Sequence, residues 1–397
     1  MKREQLEQAI AKYETPFYLY DLDILTQEMD RFRKSLGHVA NICFAMKANP
    51  FVVKHMSEIA DRIEVCSMGE FKICKDLGIA PEKLLISGVL KEIKDLPEIT
   101  EYCGTRSVYT AESFQQFHYL AEWSQNQTEM VHIYPRLTSG NQFGVNQDDI
   151  CQMIREKANY PMLHIDGIHY FTGTQKKTSK ITEKELNLLD EFFERLEKEE
   201  GFKVESLEYG PGVGVAYFEG KDVPLHTEEG LQEIATLIQN MKWKGQVTLE
   251  MGRALSALCG YYVTQVKDAK TNEGINYCVV DGGCHQLNYD GQIRGMYLPN
   301  IQVFPEKAEE EEKEWTICGS LCTFNDVLCA GFKTKGLDIG TYLAFERVGA
   351  YSSMEGMALF LSHELPGVVL HSEKDSWQEA RKRIDTYQFN MFKNENV

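Results

Sequence analysis

Phe44-Ala45-Met46-Lys47-Ala48-Asn49-Pro50 is the stretch on which the reading of this chain turns. It closes an apolar, strand-like run over 41–46 with a single lysine, followed at once by small and turn-forming residues. A lysine at the C-terminal tip of a buried strand is costly to desolvate, and burial lowers its pKa toward the neutral amine. A neutral amine is the form that condenses with a carbonyl. A solvated lysine at a strand end is the plainer alternative, and the surrounding chain decides between them.

Outward from that stretch, strand-like and helix-like segments alternate. Asp21 stands where it can cap a helix whose apolar positions Leu22, Leu25, Met29, Phe32 and Leu36 follow helical spacing. Further strands are expected at 62–67, 83–88, 106–110, 130–137, 163–171, 206–209 and 246–250, with helical stretches between most of them. The clearest helix, over 181–200, is closed by Gly201. With the Lys47 strand this makes eight, as a (β/α)8 barrel requires. An open doubly wound sheet alternates in the same way, and periodicity does not separate the two. Past about 255 the pattern changes to strands at 260–270, 276–281, 315–318 and 341–346 with turn residues between them, a mostly β second domain. The division expected is a barrel over 22–255 and a β domain from 1–21 plus 256–397. The run 305–314, with six glutamates, reads as a solvated loop.

Bulk properties agree with this outline. A chain of 397 residues holds two domains, or a large barrel and a smaller one. A formal charge of -18 disfavours nonspecific binding to nucleic acid or to an anionic membrane. No apolar run approaches the ~18 residues of a membrane span, and the first residues lack the apolar core of a signal peptide. Eleven scattered cysteines without a CxxC pair point to free thiols in a reducing cytoplasm, not to a disulfide framework or a structural zinc site.

In a barrel of this kind chemistry sits at the C-terminal ends of the strands. Lys47, Arg136, the stretch from Gly167 to Gln175, Gly210-Pro211-Gly212-Val213-Gly214 and Glu250-Met251-Gly252-Arg253 all fall at such ends. Glycines there let backbone N–H groups approach a phosphate closely.

These segments resemble the fold-type III pyridoxal-phosphate decarboxylases, the group of the diaminopimelate, ornithine and arginine decarboxylases, over nearly the whole chain. The Lys47 segment looks like the cofactor-lysine motif, and Glu64 to Glu70 like the second-strand signature. Gly167 to Gln175 is similar to a GxHxxxGSQ stretch, Leu207 to Gly214 to the phosphate loop, and Glu250 to Arg253 to an EPGR motif with Met for Pro. Val280 to Gly283, Gly319 to Cys322, Asp326 and Gly349-Ala350-Tyr351 carry the likeness through the second domain.

The resemblance implies pyridoxal 5'-phosphate held on Lys47, with its phosphate on Gly210, Gly212, Gly214, Gly252, Arg253 and Tyr351. It places Arg136 at the cofactor as well. Glu250 would face the pyridine nitrogen, which suits decarboxylation; alanine racemases of the same fold place a cation there. Cys322 would reach the cofactor of a second chain in a head-to-tail homodimer and assist protonation after carbon dioxide leaves. No metal is implied.

Two departures stand out. Phe171 occupies the place of the ring-stacking histidine. Thr323 and Tyr289 replace the acidic residue and the arginine that hold the distal end of diaminopimelate, with Arg294 close to Tyr289 in sequence and Asp326 close to Thr323. They point away from diaminopimelate and toward amino acids of biosynthetic pathways, including carrier-protein-bound ones. An amino-acid racemase and a non-catalytic pyridoxal-phosphate carrier are the alternatives; such carriers lack a β domain.

Overall fold

The computed structural model describes residues 1–290, 294–307, 309 and 311–392. Its chain divides into two compact units, one of Met1–Thr26, Ala216–Lys221 and Ser256–Val397, the other of Gln27–Val215 and Asp222–Leu255.

The second unit is built on a closed parallel barrel. Its strands are Asn41–Ala45, Arg62–Val65, Leu84–Ile86, Val108–Ala111, Val131–Leu137, the pair Leu163–Ile165 and Gly167–Phe171, Ser206–Gly210 and Gln246–Met251. Each lies parallel to its neighbour, and Gln246–Met251 returns to pair with Asn41–Ala45, which closes the barrel. Closure excludes the open doubly wound sheet. The sixth strand is split at Asp166, whose carbonyl accepts from both Glu205 N–H and Ser206 N–H in place of a regular rung.

Sequence explains the elements around it. Asp21 Oδ1 accepts from Asp23 N–H and Ile24 N–H and so caps the helix Leu22–Leu36. The helix Ser179–Glu200 buries Leu186, Leu189, Phe192, Phe193 and Leu196 along one face. It stops at Gly201, whose φ of 61° few other residues adopt without strain. Burying a side chain such as Phe192 or Leu189 stabilises the unit by about 1.5–3 kcal/mol. No helix among the described residues is long and apolar enough to cross a membrane.

The other unit is a mostly antiparallel sheet. The strand Phe17–Asp21 lies inside it, antiparallel to Gly260–Asn272 and parallel to Gly367–Ser372. Four strands were not expected from the sequence: Ile301–Phe304, Val327–Lys335, Gly367–Ser372 and Ser376–Arg381. The acidic run is also corrected. Its last residues belong to the strand Glu312–Cys318, where Glu312 and Glu314 lie opposite Lys335 and Lys333, so cross-strand charge pairing makes a strand of a charged stretch. Ala308 and Glu310 of that run lie outside the described residues.

Candidate active site

The strand Asn41–Ala45 passes directly into a short 3-10 turn, Met46–Ala48. Asn49 holds the next turn by accepting from Phe51 N–H, and Pro50 suits its first position. These turns put Lys47 just past the strand end, at the mouth of the barrel. Its Nζ lies 2.8 Å from Glu64 Oε2, 3.5 Å from Glu250 Oε1 and 3.7 Å from Cys66 Sγ. The charge state departs from the sequence expectation. Burial alone pulls the lysine pKa down, but Glu64 and Glu250 outweigh it and hold the ammonium form well above the ordinary range. With 38% of the side chain accessible, water screens part of that attraction.

Glu250 is buried beneath the lysine and accepts a hydrogen bond from His169 Nε2 at 3.0 Å. Burial opposes its charge, yet Lys47 and His169 together hold the carboxyl well below the usual carboxylate range. The other ring nitrogen of His169, Nδ1, is buried and has no partner among the described residues. Glu64 accepts from Cys66 Sγ at 3.0 Å as well as from Lys47. Glu64 and His169 are the residues that sequence reasoning quoted inside motifs without giving them a task. The register is the missing signal: Ala45 lies opposite Glu64 and Arg136 opposite His169, which brings both side chains into the layer under Lys47.

On the far side of the mouth, Arg136 Nη1 donates to both oxygens of Glu112 at 3.2 Å, and its guanidinium lies over the Phe143 ring. Its buried Nε has no partner among the described residues. Lys91, not expected at the site, donates to Gly88 O, Thr110 Oγ1 and Gln116 Oε1. Burial away from a directly bonded carboxylate brings its pKa down to about 8.

The glycine loop after Ser206–Gly210 is tightly enclosed. A Cβ on Gly210 would stand 2.4 Å from the Phe171 ring, and one on Gly212, where φ is +62°, would stand 2.0 Å from Gly173 O. Gly214 does not offer its N–H to a ligand, as the sequence suggested, because that group donates to Lys176 O at 3.0 Å. The N–H groups of Gly212 and Val213 have no acceptor among the described residues. Gly252 is packed so that a Cβ would meet Ala48 Cβ at 2.8 Å, and Arg253 Nε donates to Thr174 Oγ1 at 3.3 Å. The donor set therefore fits pyridoxal phosphate. There is an amine for the aldehyde, a carboxylate steadied by histidine for the pyridine nitrogen, an aromatic ring for its face, and free loop N–H groups for its phosphate.

The β unit carries the remaining expected residues. Cys322 and Thr323 are exposed in the loop between Glu312–Cys318 and Val327–Lys335. Asp326, expected at the substrate, is only 3% accessible. Its carboxylate accepts from Cys284 N–H at 2.7 Å and Leu321 N–H at 2.6 Å, so it staples the 282–286 and 319–326 loops together. Tyr289 is likewise corrected: it is 2% accessible, its hydroxyl donates to Glu346 O, and its ring packs on Tyr217 and Phe218. Arg294 is exposed and lines a cavity of about 380 Å3 with Cys284, Asn288, Asn325 and Glu355. Tyr351 adopts φ 68°, and its carbonyl accepts from Met354 N–H and Glu355 N–H. A tyrosine in that backbone region is uncommon and points to a constrained position.

Comparison with known proteins gives this arrangement its context. The chain is 26% identical over 367 residues to the diaminopimelate decarboxylase of Aquifex aeolicus, covering 87% of this chain and 84% of that one. It is 25% identical over 399 residues to the L-glutamyl-(BtrI acyl-carrier protein) decarboxylase of Niallia circulans, covering 94% and 92%. The crystal structure of the diaminopimelate decarboxylase of M. jannaschi superposes with a TM-score of 0.84 at 20% identity, over 99% of this chain and 95% of that one. The pyridoxal-binding domain of the pyridoxal-dependent decarboxylases matches residues 22–257, more than half of the sequence. With the barrel closed and the lysine set between two carboxylates, the chain belongs to the pyridoxal-dependent decarboxylases, enzymes that use pyridoxal phosphate to remove the carboxyl group of an amino acid.

Proposed function

We propose that the enzyme decarboxylates an α-amino acid other than diaminopimelate, presented on a carrier protein, at a site shared between two copies of the chain. The observation that carries the chemistry is Lys47 held between Glu64 and Glu250, with His169 behind. Pyridoxal phosphate supplies an electron sink for the electron pair left when the α-carboxylate departs as carbon dioxide. Glu250, kept ionised by Lys47 and His169, would hold a proton on the pyridine nitrogen. Glu64 and Glu250 would receive the Lys47 amine when the substrate amine displaces it, and would hold it as ammonium with the proton the substrate gives up. Phe171 and the Gly212–Val213 N–H pair would hold the cofactor's ring and phosphate. Cys322, exposed on its loop, is assigned as proton donor to the site of the other chain.

Substrate choice rests on what the loops lack. Thr323 brings no charge to a distal ammonium, and Tyr289 is buried with its hydroxyl already used. A substrate tethered through its distal carboxyl keeps the α-amine and α-carboxylate the reaction needs and has no distal charge to satisfy, and the Niallia circulans relative is an L-glutamyl acyl-carrier-protein decarboxylase. Arg294 and Glu355 line one cavity and would meet polar groups of such a substrate. The test offers purified enzyme free amino acids, diaminopimelate among them, and acidic amino acids loaded through the side-chain carboxyl on a phosphopantetheinyl carrier, with carbon dioxide release measured. Turnover should favour a loaded form. Fastest turnover of free diaminopimelate overturns the substrate assignment and leaves the decarboxylase chemistry standing.

A further inference from the structure

Lys176 and Glu185 form a buried ion pair that no step above uses. Lys176 Nζ donates to both carboxylate oxygens, at 2.8 and 2.7 Å, and both side chains are more than nine-tenths buried. The same carboxylate accepts from the hydroxyls of Thr172 and Tyr209. Three donor groups thus place four hydrogen bonds on one carboxylate, from the segment after Gly167–Phe171 and from the residue just before Gly210. The backbone of Lys176 grips the glycine loop directly. Its N–H donates to Gly212 O at 2.9 Å and its carbonyl accepts from Gly214 N–H at 3.0 Å. Gln175 Oε1, one residue earlier, accepts from Val215 N–H at 2.7 Å. Between these bonds the N–H groups of Gly212 and Val213 are left without an acceptor among the described residues, side by side on a turn whose shape depends on φ +62° at Gly212.

Stability alone is a poor account of the pair. Desolvating two charges is expensive, and apolar residues of similar volume often serve a core as well or better. An ion pair with convergent hydrogen bonds does something packing cannot: it fixes direction as well as distance. Since Glu185 neutralises Lys176, the pair offers the loop little net charge, and its effect is one of position.

We infer that the Lys176–Glu185 pair, with Thr172 and Tyr209, is a clamp that holds the 210–214 loop so that the Gly212 and Val213 N–H groups point at the cofactor's phosphate. These are positioning residues, and the inference rests on the reading of that loop as the phosphate site. It sets a difference between two ligands: pyridoxal phosphate feels the clamp, and pyridoxal, which has no phosphate, does not.

Binding of each to cofactor-stripped enzyme is followed by absorbance and by quenching of tyrosine and tryptophan fluorescence. Glu185→Gln, which preserves shape, and Lys176→Met should each weaken pyridoxal phosphate at least tenfold and move pyridoxal less than twofold. Lys176→Arg, which can restore a two-pronged bond to Glu185, should recover most of the phosphate preference. Equal weakening of both ligands, or of neither, overturns the clamp. Gly212→Val separates the two layers of the argument, since its side chain would strike Gly173 O. If it abolishes the preference for the phosphorylated ligand while Lys176→Met and Glu185→Gln leave it whole, the clamp alone fails. If Gly212→Val leaves the preference whole, the loop is not the phosphate site and the clamp falls with it.

Discussion

Glu208 and Glu250 sit on adjacent barrel strands, both wholly buried, and their carboxyls are driven in opposite directions. Thr248 lies opposite Glu208, so Glu250 stands two residues nearer the mouth, one layer of side chains higher. In the upper layer Glu250 meets Lys47 and donates nothing but accepts from His169, and it stays ionised in spite of burial. In the lower layer Glu208 has Arg62 Nη1 at 2.9 Å, a closer cation than Glu250 has in Lys47. Desolvation nevertheless dominates there, and with the charge of Glu250 above it the carboxyl is pushed up to about 7. Oε1 of Glu208 has no partner among the described residues, so half of its hydrogen-bonding capacity is unmet. A single good ion pair does not keep a buried carboxylate charged. Lys47 first and then His169, on the remaining oxygen, hold Glu250 ionised, whereas Glu208 has Arg62 beside it and the charge of Glu250 above it.

That contrast can be broken most severely at the mouth. Lys47→Ala should reduce turnover by a factor of 10³ or more, because nothing else in the described upper layer offers an amine beside Glu64 and Glu250. Borohydride reduction of the wild type should leave the pyridoxyl label on Lys47, read by peptide mass spectrometry. A label on Lys91 instead, whose amine is the easier one to deprotonate, would reassign the cofactor lysine.

Glu250→Gln comes next. It keeps the shape of the upper layer and removes its charge, so cofactor should remain bound while carbon dioxide release slows by roughly 10² or more, about 3 kcal/mol of barrier. Retained activity would show that the ionised state of Glu250, which sets it apart from Glu208, is irrelevant to the reaction.

The assignment of Cys322 to the other chain predicts a smaller, fourfold effect. Lys47→Ala and Cys322→Ala proteins, each poorly active, should recover up to about a quarter of wild-type activity when mixed under subunit exchange, since one site in each hybrid dimer keeps both residues. Exchange confirmed by native mass spectrometry without recovered activity would place Cys322 at its own chain's site or at none.

The lower layer supplies the mildest test. Folded Glu208 titrates near 7 and an unperturbed glutamate near 4.5, so between those values the folded state binds more protons than the unfolded one. Stability must therefore fall as pH rises across that window, by up to roughly 3 kcal/mol from this group. Denaturant unfolding at pH 5 and pH 8 should show the loss, and Glu208→Gln should flatten it even though the variant is less stable throughout. An unchanged pH slope in Glu208→Gln would mean that Glu208 is ionised like Glu250, and the contrast between the layers would vanish.

Much of this was legible in the chain itself. Strand-end positions marked Lys47, Glu250 and the glycine loop, because a strand's hydrophobic run and the turn that ends it are local properties. The edge strands of the β unit were not legible: Ser376–Arg381 is largely polar and exposed, Val327–Lys335 buries only Leu328 and Cys329 side by side, and neither shows the alternation that distinguishes a strand from a loop. Asp326 and Tyr289 were given to the substrate because their sequence neighbours suggested it, yet each is used up by backbone groups from distant segments.

The sequence by itself determined the alternation of strands and helices, the strand-end places of Lys47 and Glu250, and the resemblance that implies a barrel and its chemistry. Only the tertiary structure decided the protonation states. It set Lys47 as an ammonium between two carboxylates, gave Glu250 the His169 bond that Glu208 lacks, and spent the Gly214 N–H on Lys176. Charge and hydrogen-bond occupancy depend on distances of a few ångströms between residues far apart in the chain, and those distances are a property of the closed barrel.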